Sequence, residues 1–142
     1  MIDAMAASLQ QIGLAVKRLQ WRHHRTANER LADLGVSLVQ WDVLRHLREH
    51  PDASLHALAE LTFQTDQSMG TLAMRMIQRD LIERLPGPGR AIRHGLTPHG
   101  EQVERAGAAI VDSVMADTIG NLSAAERAEF YRLLVKAGAP RP

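Results

Sequence analysis

Cysteine is absent from this chain of 142 residues. That excludes disulfides, thiol redox sensing and Cys-ligated zinc. Aromatic residues are scarce at 4%, with one Tyr and two Phe, while Leu, Ala, Arg, Glu and Gln abound, so helix is expected to dominate. No apolar run approaches the length of a membrane span. The start, MIDAMAASLQQ, lacks the basic and apolar segments of a signal peptide, and a cytoplasmic protein is expected. Catalytic signatures are missing as well: there is no Gly-rich phosphate loop, Gly-x-Ser-x-Gly elbow or His-Glu-x-x-His. Neither an enzyme nor a cofactor is expected. Excess charge is also lacking, since the formal net charge is only +1.

The length suits one domain with a real core, and the charge is unevenly spread. Residues 17–30 hold Lys17, Arg18, Arg22, Arg25 and Arg30 against Glu29 alone. Residues 62–99 carry five Arg against Asp66, Asp80 and Glu83, and residues 31–61 reverse the balance. Basic charge gathered where a phosphate backbone would lie needs no large net charge. A charge run is equally the mark of a solvated helix face.

The most informative stretch is 55–99. Leu55, Leu58, Ala59 and Leu61 fall at helical spacing behind Ser54, a candidate N-cap. Thr62-Phe63-Gln64 breaks the pattern, and Thr65 or Asp66 can cap the next helix. Met69, Leu72, Ala73, Met76 and Ile77 then form one apolar stripe. The opposite face presents Gln67, Ser68, Thr71, Arg75 and Gln78, groups suited to base edges and phosphates. Leu81-Ile82 begins an extended segment, Pro86-Gly87-Pro88-Gly89 must turn, and residues 91–97 can return as a strand. A stripe with a polar back also describes any surface helix. The order helix, turn, helix, hairpin is what predicts a winged helix-turn-helix, with a recognition helix at about 65–80 and a wing at about 82–97.

Flanking segments complete a mostly α fold with a small β-hairpin wing. Residues 3–30 read as a long helix bearing Leu9, Ile12, Val16 and Leu19, ended by Leu34-Gly35. Ser37 caps a second helix to about His50, striped with Leu38, Trp41, Leu44 and Leu47 and closed by Pro51. Pro98 suits the first turn of a helix over 98–119, with Val103, Ala106, Ile110, Val114 and Met115 expected inward. Ser123 and Glu126 form a capping box for a last helix carrying Phe130, Leu133 and Leu134. A winged motif needs only about half of this length, so the terminal helices must bury their stripes on something. The economical partner is a second copy of the chain.

With these segments in place, the chain resembles the MarR family of winged helix-turn-helix transcriptional regulators over nearly its whole length. The stretches that carry the resemblance are LADLGVSLVQWDVLRHLREHP (31–51), LHALAELT (55–62), SMGTLAMRMIQRDLIER (68–84), GRAIRHGLTPHGE (89–101) and LSAAERAEFYRLL (122–134). It implies a single domain over 1–142, with dimerisation helices at 3–34 and 98–137 around a DNA-binding part at 37–97. It implies a homodimeric repressor on a palindromic double-stranded operator, released by a small aromatic or phenolic effector. By position, Thr65, Gln67, Ser68, Thr71 and Arg75 would meet DNA from the recognition helix, and Arg90, supported by Arg93, from the wing. Two positions depart from the pattern. Pro88 stands where the family usually has an Asp that holds the wing Arg, and Gly70 lies inside the recognition helix, where Gly costs up to ~1 kcal/mol. Those departures and the low net charge leave an alternative reading, a winged-helix module that binds protein and not DNA.

In the family the first two helices line the effector cleft. Trp21, His24, Arg25 and Trp41 are therefore the candidate ligand residues, a ring platform with cations for an aromatic anion. Trp41 also lies on an apolar stripe, which favours the core. His46 and His50, four apart, have metal-pair spacing, with His23, His24 and His56 elsewhere. With no Cys and no further ligand in view, no metal is expected.

Overall fold

The computed structural model describes residues 6–87, 89 and 91–140. Six helices and one antiparallel hairpin follow in order: α1 (Leu9–Leu31), α2 (Leu38–Glu49), α3 (Leu55–Leu61), α4 (Asp66–Gln78), β1 (Ile82–Pro86), β2 (Ile92–Leu96), α5 (Pro98–Ala116) and α6 (Ala124–Gly138). The mostly α fold with a hairpin wing is the one the sequence predicts.

Most boundaries are set by side chains one residue outside the helix. Ser37, Ser54, Thr65, Thr97 and Ser123 each accept a hydrogen bond from the third residue onward, satisfying an N–H that the helix leaves free. The boxes of Ser37 with Gln40 and Ser123 with Glu126 are reciprocal. The first helix corrects the sequence reading. It begins at Leu9, not at residue 3, because Ser8 and Gln11 form a further reciprocal box. Residues 1–5 lie outside the described residues. At the other end the chain passes through a 3-10 turn, Ala32–Leu34, and stops at Gly35, whose φ of 75° is left-handed.

The core lies where α1, α2, α3, α4 and α5 meet the base of the wing. Leu31, Leu44, Leu58, Met69, Met76, Ile82 and Val114 are fully buried there. Trp41 fastens α2 to α5. Its indole Nε1 donates to the Glu104 carbonyl at 2.9 Å, and its ring lies against Gly107, where a Cβ would overlap the indole. This corrects the inward set expected for α5. Ala106 is exposed, and the buried positions are Gly100, Val103, Glu104, Gly107 and Val114. One turn along, Arg48 Nε lies 2.9 Å from Oε1 of buried Glu104. The N–H is not aligned for a hydrogen bond, so the contact is ionic.

The wing grows from a second knot. Thr97 caps α5, donates its hydroxyl to the Asp80 carbonyl and takes the Leu81 carbonyl with its N–H. In the hairpin, Ile82 pairs with Leu96, Arg84 with His94 and Pro86 with Ile92. Pro86 therefore belongs to β1, and the turn begins after it.

The terminal helices are different. On α1, Leu9, Ile12, Leu14 and Val16 are exposed; α6 has no buried residue, and Tyr131, Leu133, Leu134 and Val135 face outward. Such an apolar surface, continuous along two helices, marks an interaction face.

Gly107→Ala is expected to destabilise the protein by about 1–3 kcal/mol, the usual cost of overpacking. Urea unfolding of the variant checks this, and an unchanged midpoint would disprove the tight Trp41 seat.

Candidate nucleic-acid interface

α4 turns its apolar stripe inward, with Met69, Ala73 and Met76 buried, and this leaves Gln67, Ser68, Thr71, Arg75 and Gln78 exposed. Its first turn is pre-organised. The Thr65 hydroxyl accepts from the Ser68 N–H and donates to the Ser68 hydroxyl, both at 3.0 Å. Thr71 donates to the Gln67 carbonyl at 3.2 Å. The Gln67 amide and the Arg75 guanidinium have no protein partner among the described residues. A shallow cleft of about 360 Å³ runs along this face, walled by Val39, Gln64, Gln67, Ser68, Thr71 and Arg75. Val39 and Gln64 were missed in the sequence, because only the fold brings α2 and the α3–α4 turn beside α4.

That turn is sharp. Phe63 takes a left-handed φ of 58° and is 94% exposed. His56 locks α3 to α4, with Nδ1 2.8 Å from Asp66 and Nε2 2.9 Å from Glu60. The hydrogen bond to Asp66 and then the two carboxylate charges raise its pKa above the usual 6.5.

The wing stands beside α4. The Gly87 N–H bonds the Ala91 carbonyl at 3.0 Å, and Gly89 is left-handed at φ 62°. Arg93 is half-buried and donates to the Ile92 carbonyl at 3.3 Å. Arg90, the expected wing contact, and Pro88 lie outside the described residues. Between wing and α4 is a cavity of about 180 Å³ bounded by Gly70, Ala73, Met74, Ile77, Arg84 and His94. His94 is 2% exposed and its Nδ1 has no partner among the described residues. Burial, and then the Arg84 charge, lower its pKa.

A second candidate site lies at the other end of the molecule. A cleft of about 590 Å³ opens between α1 and α6, with Ile12, Val16, Leu19, Leu38, Phe130 and Leu134 as apolar walls and His23 and His24 among its polar groups. Of the four residues expected to hold a ligand, only His24 lines it. Trp21 stacks on His24 with centroids 5.9 Å apart but is 60% exposed. Arg25 turns to Glu29 at 3.3 Å. Trp41 is away from the cleft, because its indole N–H is committed to Glu104 in the core. His23, unassigned in the sequence reading, takes a place there, with Nε2 2.6 Å from the Thr118 hydroxyl. Burial first, then Arg22, lower its pKa.

An exposed polar helix behind a tight turn, flanked by a hairpin, is the arrangement of a winged helix-turn-helix protein. The chain belongs to the MarR family: the model of that family matches residues 34–91. Transcriptional regulator HosA of Escherichia coli is 31% identical over 119 residues, 82% of each chain. HTH-type transcriptional repressor Rv2887 of Mycobacterium tuberculosis is 29% identical over 111 residues, 77% of this chain and 80% of the relative. The solved Rv2887 complex with DNA is similar at TM-score 0.74 and 26% identity, covering 94% of this chain and 99% of that one. The Rv2887 complex with salicylic acid is similar at TM-score 0.73 and 26% identity, covering 96% and 100%.

His94 makes stability depend on pH in a defined direction. Its folded pKa is below 6.5, so below 6.5 the unfolded chain binds a proton that the folded chain refuses, and stability falls as pH drops. His23 acts in the same sense. Urea unfolding from about pH 7.5 to 5.5 should show a smaller loss for His94→Leu than for the unaltered protein. Equal losses would show that His94 does not carry the effect.

Proposed function

We propose that this chain is a homodimeric transcriptional repressor that reads a palindromic operator. α4 enters the major groove and the wing touches the flanking backbone. The observation that carries this reading is the α4 face, where Gln67, Ser68, Thr71 and Arg75 are exposed while the turn before them is fixed by Thr65 and His56. The amide and guanidinium can pair with base edges, and the hydroxyls with phosphates. Arg93 in the wing, and Arg90 by its place in the sequence, are the candidate backbone contacts. The solved complex of Rv2887 with DNA supports the same assignment.

The apolar faces of α1 and α6 supply the dimer contact. A two-fold pair buries Leu9, Leu133 and Val135, which a monomer leaves in water. It also sets two α4 helices for half-sites about one turn of DNA apart. In this reading residues 9–34 and 98–137 form the dimerisation part and 37–97 the DNA-binding part.

The cleft between α1 and α6 takes a small aromatic carboxylate or phenolate. Its walls suit a ring, and His23 and His24 offer N–H groups to an anion. Salicylic acid bound to Rv2887 supports this class of effector. Ligand bound against α1 and α6 releases DNA by shifting the angle between protomers, and with it the spacing of the α4 helices.

Fluorescence anisotropy with DNA flanking the protein's own gene, at two salt concentrations and against unrelated DNA, tests the operator reading. Binding should be selective and fall steeply with salt. Arg75→Ala should weaken it by about 1–3 kcal/mol and relax the preference at one position. Equal, weak binding to both DNAs would instead favour a protein-binding module.

The dimer has its own test. Leu133→Lys should give monomers in sedimentation velocity, with helical circular dichroism retained and operator affinity lost. A dimer that survives would place the interface elsewhere.

A further inference from the structure

The last turn of α2 gathers three ligating side chains that the DNA and effector readings do not use. His46, Glu49 and His50 stand at i, i+3 and i+4, so one face of the helix carries all three. One donor atom from each lies within 4.8 Å of the others. The two imidazoles are nearly parallel, 18° apart, with centroids separated by 6.4 Å. His46 has an unusual environment. Its side chain is 12% exposed, and its Nδ1 has no hydrogen-bond partner among the described residues. An unsatisfied buried ring nitrogen is costly unless something outside the chain meets it.

The surrounding charges decide whether a cation would be accepted. The two nearby guanidiniums have partners. Arg45 holds Asp42 at 2.6 Å, lies 5.4 Å from the centroid of the Trp41 ring and reaches His46 Nε2 at 3.5 Å, which leaves Nδ1 as the free nitrogen of that ring, and Arg48 lies against buried Glu104. Glu49 is exposed and has no ion pair among the described residues, so its carboxylate is free to take a cation. The cluster also sits at the C-terminal end of the helix, where the aligned peptide dipoles favour a cation. Beside it opens a cleft of about 690 Å³, walled in part by Glu49, His50, Asp52 and Glu60. That leaves room for water in the remaining coordination positions and adds negative potential.

We propose that His46, Glu49 and His50 form a binding site for a single divalent transition-metal ion of the zinc class. Two imidazoles and one carboxylate are borderline-hard donors, which suit Zn²⁺, Co²⁺ or Ni²⁺ and disfavour Ca²⁺ and Mg²⁺, which prefer oxygen. The chain's lack of cysteine is no obstacle to a ligand set of this kind. The ion sits at the end of α2, beside the turn that leads through Ser54 into α3. The site is separate from the α4 face and from the cleft between α1 and α6.

The test uses the full chain without a tag, stripped with a chelator and titrated with Zn²⁺ by isothermal calorimetry, with Co²⁺ absorption as the spectroscopic check. One ion per chain is expected. His50→Gln and Glu49→Gln, both at exposed positions, should each weaken binding by about tenfold or more. His99→Gln, an exposed histidine on α5 outside the cluster, should leave it unchanged. No binding, or equal affinity in all four proteins, overturns the site. Metal binding is read without DNA, so its failure is distinct from failure of the operator reading.

Discussion

The seating of Trp41 against α5 is the constraint on which the two halves of the molecule depend. α2 belongs to the winged part, and α5 leads away from the wing toward α6. One side chain joins them by area, by a hydrogen bond to the Glu104 carbonyl and by direct approach to Gly107. A large amphipathic ring needs this combination, because burial is favourable only when the indole N–H keeps a partner. Arg48 and Glu104 add a second fastening one turn along. A buried carboxylate is costly alone, so the half-exposed Arg acts more to make Glu104 tolerable than to strengthen the fold. A shift at α5 must therefore move α2, and with α2 the helices packed on it. That is the mechanical link which an effector between α1 and α6 requires.

Contrast between the ends of the chain follows from the same packing. The winged part closes its own core, with Leu44, Leu58, Met69 and Met76 fully buried. α6 buries nothing, although its capping box defines its start as firmly as that of any other helix. Local signals can build a helix without giving it a place to pack. The exposed apolar side chains Leu9, Leu14, Tyr131, Leu133 and Val135 of α1 and α6 suit a helical partner of the same kind, and a two-fold axis supplies one without new sequence.

What was legible in the sequence was local. Ser37, Ser54, Thr65 and Ser123 announce helix starts because a cap acts on a backbone N–H three residues away. The α4 stripe is legible because its period is that of the helix itself. Ser8 carried the same signal with Gln11 but lay inside a run of helix-favouring residues, so the first helix was expected to begin earlier. Contacts distant in sequence were not legible. Ala106 and Gly107 are both small, and only the position of Trp41, 66 residues earlier, makes Gly107 the buried one and requires it to lack a Cβ. The ligand set failed in the same way. Trp21 and Trp41 were grouped by chemistry, but one is exposed and the other is spent in the core. Glu49 joins His46 and His50 by helical spacing alone, since i, i+3 and i+4 share one face.

The departures from local preference share a direction. Phe63 holds a large apolar ring in water on a left-handed backbone, an arrangement unfavourable twice over. Gly70 weakens α4 without any packing reason, since a Cβ there would meet nothing within 4 Å. Leu9 is 88% exposed on α1. By contrast, the glycines of the interior, Gly100 and Gly107, are each required by a close neighbour, the Leu81 carbonyl and the Trp41 ring. Where the chain packs closely on itself, these two glycines have their compensation within the fold. Where it does not, the unusual residues lie on the α4 side or on the terminal helices, so what offsets them has to come from outside one protomer. Exceptions to local preference that the fold does not offset are expected at functional surfaces, and the α4 side and the terminal helices are the surfaces proposed to meet DNA and a second copy of the chain.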